Sequence, residues 1–436
     1  MATTPPHVPA QYLRKIAYGL RHLLLPECYY FPRMEEFHSG LLGRELKLKN
    51  GATTYFTEKG MEHFRTITTA LIDSEAFPNG VDAEDIWQAF WGVFRSLFSE
   101  GLIPDSAAEV VQLVSDQLLP LIQTRKFILP FHGIQFEGIT DLPLGDLRLI
   151  PPDIGYFQSQ GLEPRSQHLP TLVKHHVGVL WITGKKVGSP RVAEREFRTA
   201  ADLTAGLLAT ISATMLQEGA SRIRIGVGQH GGPGRTGETW FSWGDSPDSL
   251  SMSTGGGHRP AVPIDVRLRR DIVDATLVTK ALSIIRADKR NDLEESIARG
   301  LHWFADAHRD PVLVMQFVKY WSCIEVFFST ENKDITRSVS AGVAAALAFG
   351  DFAFVPIADY LKTKKRLAHL YGKRSKAVHG AAREHVTLRD IEELSKWTAG
   401  LLVTMLNLSE RGYTDRASVK KQTMRLDAAA SRAKGA

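Results

Sequence analysis

The sequence predicts an α+β N-terminal region followed by an all-α helical bundle. Three observations carry this. Short apolar and β-branched runs broken by Gly and Pro fill residues 126–190 and 222–265. No strand pattern is found after about Asp271. The C-terminal segments repeat apolar residues at steps of three and four.

In chain order, residues 1–10, with Pro5, Pro6 and Pro9, read as a lead-in. Tyr12, Ile16, Leu20, Leu23 and Leu24 have helical spacing over 11–25. LKLKNGATTYF reads as a hairpin with a two-residue turn at Asn50–Gly51. Asp82 with Asp85, and Ser106 with Glu109, are start signals for two helices. FILPFHGIQFEG, HHVGVLWITG, RIRIGVG and ETWFSWG then read as strands, interrupted by a helix over 191–217. Gly255–Gly257, Pro260 and Pro263 mark a boundary. The expected domains are 1–268 (α+β), 269–411 (bundle) and 412–436 (a basic flexible tail; residues 411–436 carry seven Lys/Arg against two Asp).

Within the bundle, Asn291 with Glu294 opens one helix. Asp310 with Pro311 opens the next, along Leu313, Phe317, Trp321, Ile324 and Phe328. Helices are expected over 333–349 and 354–371, and Thr387 with Asp390 opens the last. Trp303 and Trp321 read as core.

Composition narrows the function classes. Net charge is +5 and hydrophobic residues make up 43%, ordinary for a globular protein. No run of eighteen apolar residues exists, so no membrane partner is expected. The first residues lack a charged n-region followed by an apolar h-region, so no secretory signal is read. The two cysteines, Cys28 and Cys323, have no metal-ligand spacing. A disulfide framework and a zinc site are not expected, and a reducing cytoplasm fits. GVGQHG (226–231) matches G-x-G-x-x-G, but turn and strand signals follow it where a dinucleotide site needs a helix. There is no P-loop pattern. His175, His176, His230 and His258 have no metal-ligand spacing. No cofactor and no metal are expected.

The segment YGKRSKAVHG, Tyr371 to Gly380, carries the chemistry. Arg374 and His379 form an R-x4-H pattern, flanked by Lys362, Lys364, Lys365, Arg366, Lys373 and Lys376. Such a cationic run attracts phosphate. Histidine can exchange a proton near neutral pH, and the arginine fork can hold a phosphorane charge. Five residues at 100° each separate the two by about 140° on an ideal helix, so one straight helix cannot present both on one face. Read from the residues alone, Arg374 bridging to an acid such as Glu325, with His379 capping a helix, is the alternative.

RSKAVHG, preceded by Tyr371 and a basic helix, resembles the RSxxxHG signature of HEPN domains, particularly the Apea-like branch. WSCIEVFFS, with Glu325 on an apolar helix, resembles that family's second bundle helix, and DITRSVSAGVAAALA the helix after it. The resemblance covers roughly 290–410. It implies a metal-independent endoribonuclease with Arg374 and His379 catalytic. Ser375, Lys373, Lys376 and Tyr371 would position RNA, and Glu325 would play a supporting part. It implies a homodimer or higher even oligomer in which two motifs meet at a helix end, bracketed here by Gly372 and Gly380. It also implies a role in prokaryotic anti-phage or toxin-like defence, with an unknown trigger acting on the N-terminal region. Many active HEPN nucleases carry Asn, Asp or His directly after the arginine, where this chain has Ser375. Two other readings stand beside this one. The bundle can be a non-catalytic dimerisation and RNA-binding module, or residues 1–268 can be the functional part and the bundle a dimer handle.

Overall fold

The computed structural model describes residues 7–30, 44–47, 52–102, 104, 106–159, 173, 179–215, 223–228, 239–242, 251–254, 261–329, 335–380 and 386–433. It divides into two units, Met1–Lys126 with Lys185–Phe197, and Phe127–Gly184 with Arg198–Ala436.

In the first unit, α1 (Ala10–Leu23) is followed by a three-stranded antiparallel sheet of β1 (Tyr29–Tyr30), β2 (Glu45–Lys47) and β3 (Thr53–Phe56). Then come α2 (Glu58–Asp73), α3 (Ala83–Glu100) and α4 (Ala107–Leu118). Asp82 and Asp85 cap each other's backbone N–H at the start of α3, and the Ser106 hydroxyl accepts from Glu109 N–H at the start of α4. Ile16, Phe64, Ile67, Leu71, Phe90, Phe94, Val110 and Val114 form the core, so the helical spacing reads directly as burial. Val8, in the expected lead-in, is also buried in this core. The hairpin is present with a different register. Lys47 faces Thr53, whereas a two-residue turn at 50–51 would set residue 47 opposite 54. Asn50 and Gly51 lie outside the described residues.

The second unit contains most of a sheet and the helical bundle. A five-stranded sheet runs in the order β6 (Leu142–Leu144), β7 (Leu147–Ile150), β8 (Leu180–Gly188), β4 (Gln123–His132), β9 (Gly226–Val227). Strand β5 (Ile134–Phe136) pairs in parallel with β12 (Val262–Ile264), and β10 (Thr239–Ser242) pairs with β11 (Ser251–Thr254). Helices α5 (Ile154–Ser159) and α6 (Pro190–Met215) lie between strands in sequence. From Val266 onward every described element is helical: α7 (Val266–Asp274), α8 (Thr276–Arg286), α9 (Asp292–Arg309), α10 (Leu313–Phe328), α11 (Ile335–Phe349), α12 (Tyr360–Gly380), α13 (Leu388–Glu410) and α14 (Arg416–Ala433).

The sequence division at 268 is not where the two units separate. Pro263 lies in a paired strand, and Arg269 of α7 donates to Asp141 beside β6. Helix α6 meets α9 so closely that a Cβ on Gly206 would lie 2.2 Å from the Leu301 carbonyl oxygen. Arg309 at the end of α9 pairs with Asp202 of α6 at 2.9 Å, and its own carbonyl accepts from Arg224. Sheet and bundle therefore share one interior.

Three further expectations change. Asp310 does not cap α10 with Pro311 in its first turn. The helix begins at Leu313, and Asp310 instead accepts from Val312 N–H and pairs with Lys319. The helix expected over 354–371 begins later, at Tyr360 after a turn of 3₁₀ helix at Ile357–Asp359, and runs on to Gly380. The tail expected to be flexible is mostly helix α14. Arg416 pairs with Asp292 and donates to the Val326 carbonyl. Asp427, buried at the far end, accepts from Tyr360 and Lys364. Its anchors are mainly polar, with Val419 the one strongly buried large apolar side chain, so hydrophobic spacing carried little of the signal.

Among the described residues no helix is long and apolar enough to cross a membrane. The G-x-G-x-x-G segment begins in strand β9, and residues 229–231 lie outside the description.

Candidate functional site

Helix α12 carries the R-x4-H segment, and its geometry follows from one apolar stripe. Tyr360, Thr363, Leu367, Leu370 and Ala377 are buried at steps of three, four, three and seven. Arg374 occupies the remaining place on that stripe. Because the stripe continues past Gly372, the helix continues too. The expected helix end at Gly372 is therefore absent: a mid-helix glycine costs only about 1 kcal/mol, and burial of Leu367, Leu370 and Ala377 outweighs it. Arg374 and His379 lie on one continuous helix, about 140° apart around its axis. The side chain of His379 lies outside the description.

Arg374 faces α10. Its Nη2 donates to Glu325 Oε2 at 3.0 Å, and the Tyr371 hydroxyl donates to Glu325 Oε1 at 2.9 Å. One carboxylate thus binds both motif residues. The Tyr371 ring stands edge-on to Trp321, with centroids 5.1 Å apart, and the Arg374 guanidinium lies 5.8 Å from the Tyr371 ring centre. Burial, then the hydrogen bond to the negatively charged Glu325, pushes the Tyr371 hydroxyl up to about 12. Tyr371 is therefore a neutral donor at physiological pH. Nη2 is the one Arg374 nitrogen with a hydrogen bond among the described residues, and Nε is buried without a partner there. Trp321 is fully buried and Trp303 half-buried.

Lys373, one step around the helix, turns the other way. Its Nζ donates to Asp390 Oδ2 at 2.8 Å. Asp390 also accepts from Arg366 Nη2 at 2.7 Å and from the backbone and hydroxyl of Thr387, at 2.9 Å each. Burial alone would raise the Asp390 carboxyl. Lys373, Thr387 and Arg366 together outweigh it and hold the group far below the usual carboxylate range. The residue expected only to cap α13 is also the anchor of two motif-helix cations. Nothing local in the sequence marks that second part, since its partners lie 17 and 24 positions away.

The cationic run therefore divides. Lys364 pairs with Asp427, Arg366 with Asp390 and Glu393, Lys373 with Asp390 and Arg374 with Glu325. Lys362, Lys365, His369, Ser375 and Lys376 are exposed. Lys373, expected to position RNA, is held in an intramolecular pair; Ser375 and Lys376 are open to solvent.

No protein-family model, curated protein or solved structure matches the chain. The site's meaning rests on its own geometry.

One more cluster had no sequence signal. His308 is buried at the end of α9, with Nδ1 3.5 Å from the Tyr320 hydroxyl, which accepts from Ser395 of α13. Burial, then the nearby Arg224 charge, lowers the imidazole to about 4, so it is neutral at physiological pH. Among the described residues no three His, Cys, Asp or Glu side chains are grouped to hold a metal ion. His175, His176, His230 and His258 lie outside the description.

Proposed function

We propose that the bundle is a HEPN-type module and that the protein is a metal-independent endoribonuclease. The observation that carries the reading is the Glu325–Tyr371–Arg374 cluster. A guanidinium on the motif helix is oriented by a carboxylate from the helix named in the resemblance, through Nη2 alone.

In this reading His379 takes the proton from a ribose 2′-hydroxyl. The 2′-oxygen then attacks phosphorus, and the 5′-oxygen leaves with a proton. The products are a 2′,3′-cyclic phosphate and a 5′-hydroxyl. Arg374 stabilises the phosphorane charge, for which a preorganised donor is the main catalytic resource. Glu325 is a positioning residue. The angle of about 140° between the motif positions is why a second copy is part of the proposal: Arg374 of one protomer and His379 of the other act on one phosphate. The N-terminal region is proposed to receive the trigger in a defence role, by analogy alone.

A second reading is favoured by the same pairs. With Arg374 neutralised by Glu325 and Lys373 by Asp390, the bundle can serve as a non-catalytic dimerisation and RNA-binding module. The test is incubation of the purified protein with RNA in EDTA beside Arg374→Ala and His379→Ala. Cleavage by the parent protein that both substitutions abolish supports the nuclease. RNA binding without cleavage in any condition favours the second reading.

A further inference from the structure

The basic residues of α12 that are not tied to an acid lie together. Taking Lys362 as zero and 100° per residue, Lys365, His369, Gly372 and Lys376 fall at 300°, 340°, 280° and 320° (helix geometry,). These five positions occupy one arc of about 80°, and all five are exposed. Lys362, Lys365, His369 and Lys376 form no ion pair or hydrogen bond among the described residues, unlike Lys364 and Arg374 elsewhere on the helix and Arg366 and Lys373, which border the stripe beside Lys362. The stripe is about 21 Å long at 1.5 Å per residue.

Gly372 is the second observation. It sits at one edge of the stripe, between His369 and Lys376 along the axis, within the helix, at a position where glycine is unfavourable. Packing does not require it, for a Cβ there would meet nothing within 4 Å. The other helical glycines facing the interior, such as Gly206, Gly300 and Gly342, all stand against close neighbours. The missing side chain leaves the backbone open to solvent between His369 and Lys376 along the helix.

We propose that this stripe is a track for the sugar-phosphate backbone of single-stranded RNA, with Gly372 at the point of closest approach. The proposal rests on RNA being the ligand of the bundle. It assigns backbone binding to Lys362, Lys365, His369 and Lys376, leaving the paired Lys373 outside the contact. An extended polyanion fits because the stripe is narrow, long and singly charged. It carries no large apolar side chain to seed a protein interface or enter a bilayer. A single strand can lie along a convex helix face and bring its phosphates to lysines on successive turns.

The experiment is equilibrium binding of a fluorescent, unstructured RNA in EDTA to the full-length protein carrying His379→Ala, which keeps cleavage out of the readout. Three lysine contacts at a salt slope of about 0.7 each give roughly 100-fold of affinity at 0.1 M relative to 1 M salt. Lys362→Gln, Lys365→Gln and Lys376→Gln combined should therefore weaken binding by up to that factor and flatten the slope by about 2. The same net charge removed on other elements, as Lys289→Gln, Lys396→Gln and Lys421→Gln, should change it little. Gly372→Gln places a side chain, from a good helix former, over that open backbone. It should raise or preserve Tm while weakening binding several-fold.

Equal weakening by both lysine triples, or a Gly372→Gln variant that binds as tightly as its parent, would overturn the track. If the stripe variants bind normally while the parent chain cuts RNA, the track fails and the nuclease stands. If the stripe variants lose binding but the parent chain never cuts, the track stands and the nuclease fails. If no RNA binds at all, both fail.

Discussion

Replacing Asp390 by alanine removes the acceptor at the junction of α12 and α13. Its side chain is 2% exposed and takes donors from Lys373, Arg366 and Thr387. Loss of the capping contact costs about 1 kcal/mol. Breaking a fully buried ion pair costs roughly 3–5 kcal/mol and an exposed one under about 1. Lys373 and Arg366 are 22% and 30% exposed, and Arg366 keeps Glu393, so the ion pairs' share is about 2 kcal/mol. The total, about 3 kcal/mol, is a midpoint lowered by about 1 M in urea at a slope of roughly 3 kcal/mol/M. The loss should depend on pH. The folded carboxyl titrates below its unfolded value of about 3.9, so its contribution is complete above about pH 5. It fades as pH falls through the folded-state value. Urea unfolding followed by circular dichroism at pH 7 and pH 3, parent beside variant, measures both. A loss under about 1 kcal/mol at pH 7, or one as large at pH 3 as at pH 7, would refute the assignment of Asp390 as a charged anchor.

His308 predicts a pH dependence of its own. Its folded value of about 4 lies below the ordinary 6.5, so the unfolded chain binds the extra proton between those limits. Stability should rise with pH across that window, by roughly 3 kcal/mol in all, and His308→Gln should remove that part of the rise in urea unfolding at pH 4.5 and pH 7. Gly206→Ala places a Cβ against the Leu301 carbonyl oxygen and forces α6 and α9 apart. A cost of about 1–3 kcal/mol should appear as a lowered Tm in calorimetry; an unchanged Tm would mean the two helices do not meet this closely.

Much of the frame was legible because it depends on neighbours in sequence. Asp82 with Asp85, Asn291 with Glu294 and Thr387 with Asp390 cap helices as their spacing implies. The divided strand and helix content followed from apolar spacing together with Gly and Pro punctuation. What was not legible depends on distant partners. Arg269 with Asp141 joins sheet to bundle over 128 positions, and Asp427 with Tyr360 docks α14 over 67. Hydrophobic spacing has no access to such contacts. At the site, the Arg374 bond to Glu325 was visible as one of two readings, since a carboxylate on an apolar helix needs a partner. The division of the lysine run into paired and unpaired sides was not, because Asp390, Glu393 and Asp427 come from other helices.

The central claim is that RNA is cut through its own 2′-hydroxyl, with no metal. The most direct measurement incubates the purified protein with unstructured RNA and with the same sequence fully 2′-O-methylated, both in EDTA, and identifies the product ends by mass. The account predicts cleavage of the first alone, leaving a 2′,3′-cyclic phosphate and a 5′-hydroxyl. Equal cleavage of both, or cleavage of the first that appears only when a divalent cation is restored, would contradict it.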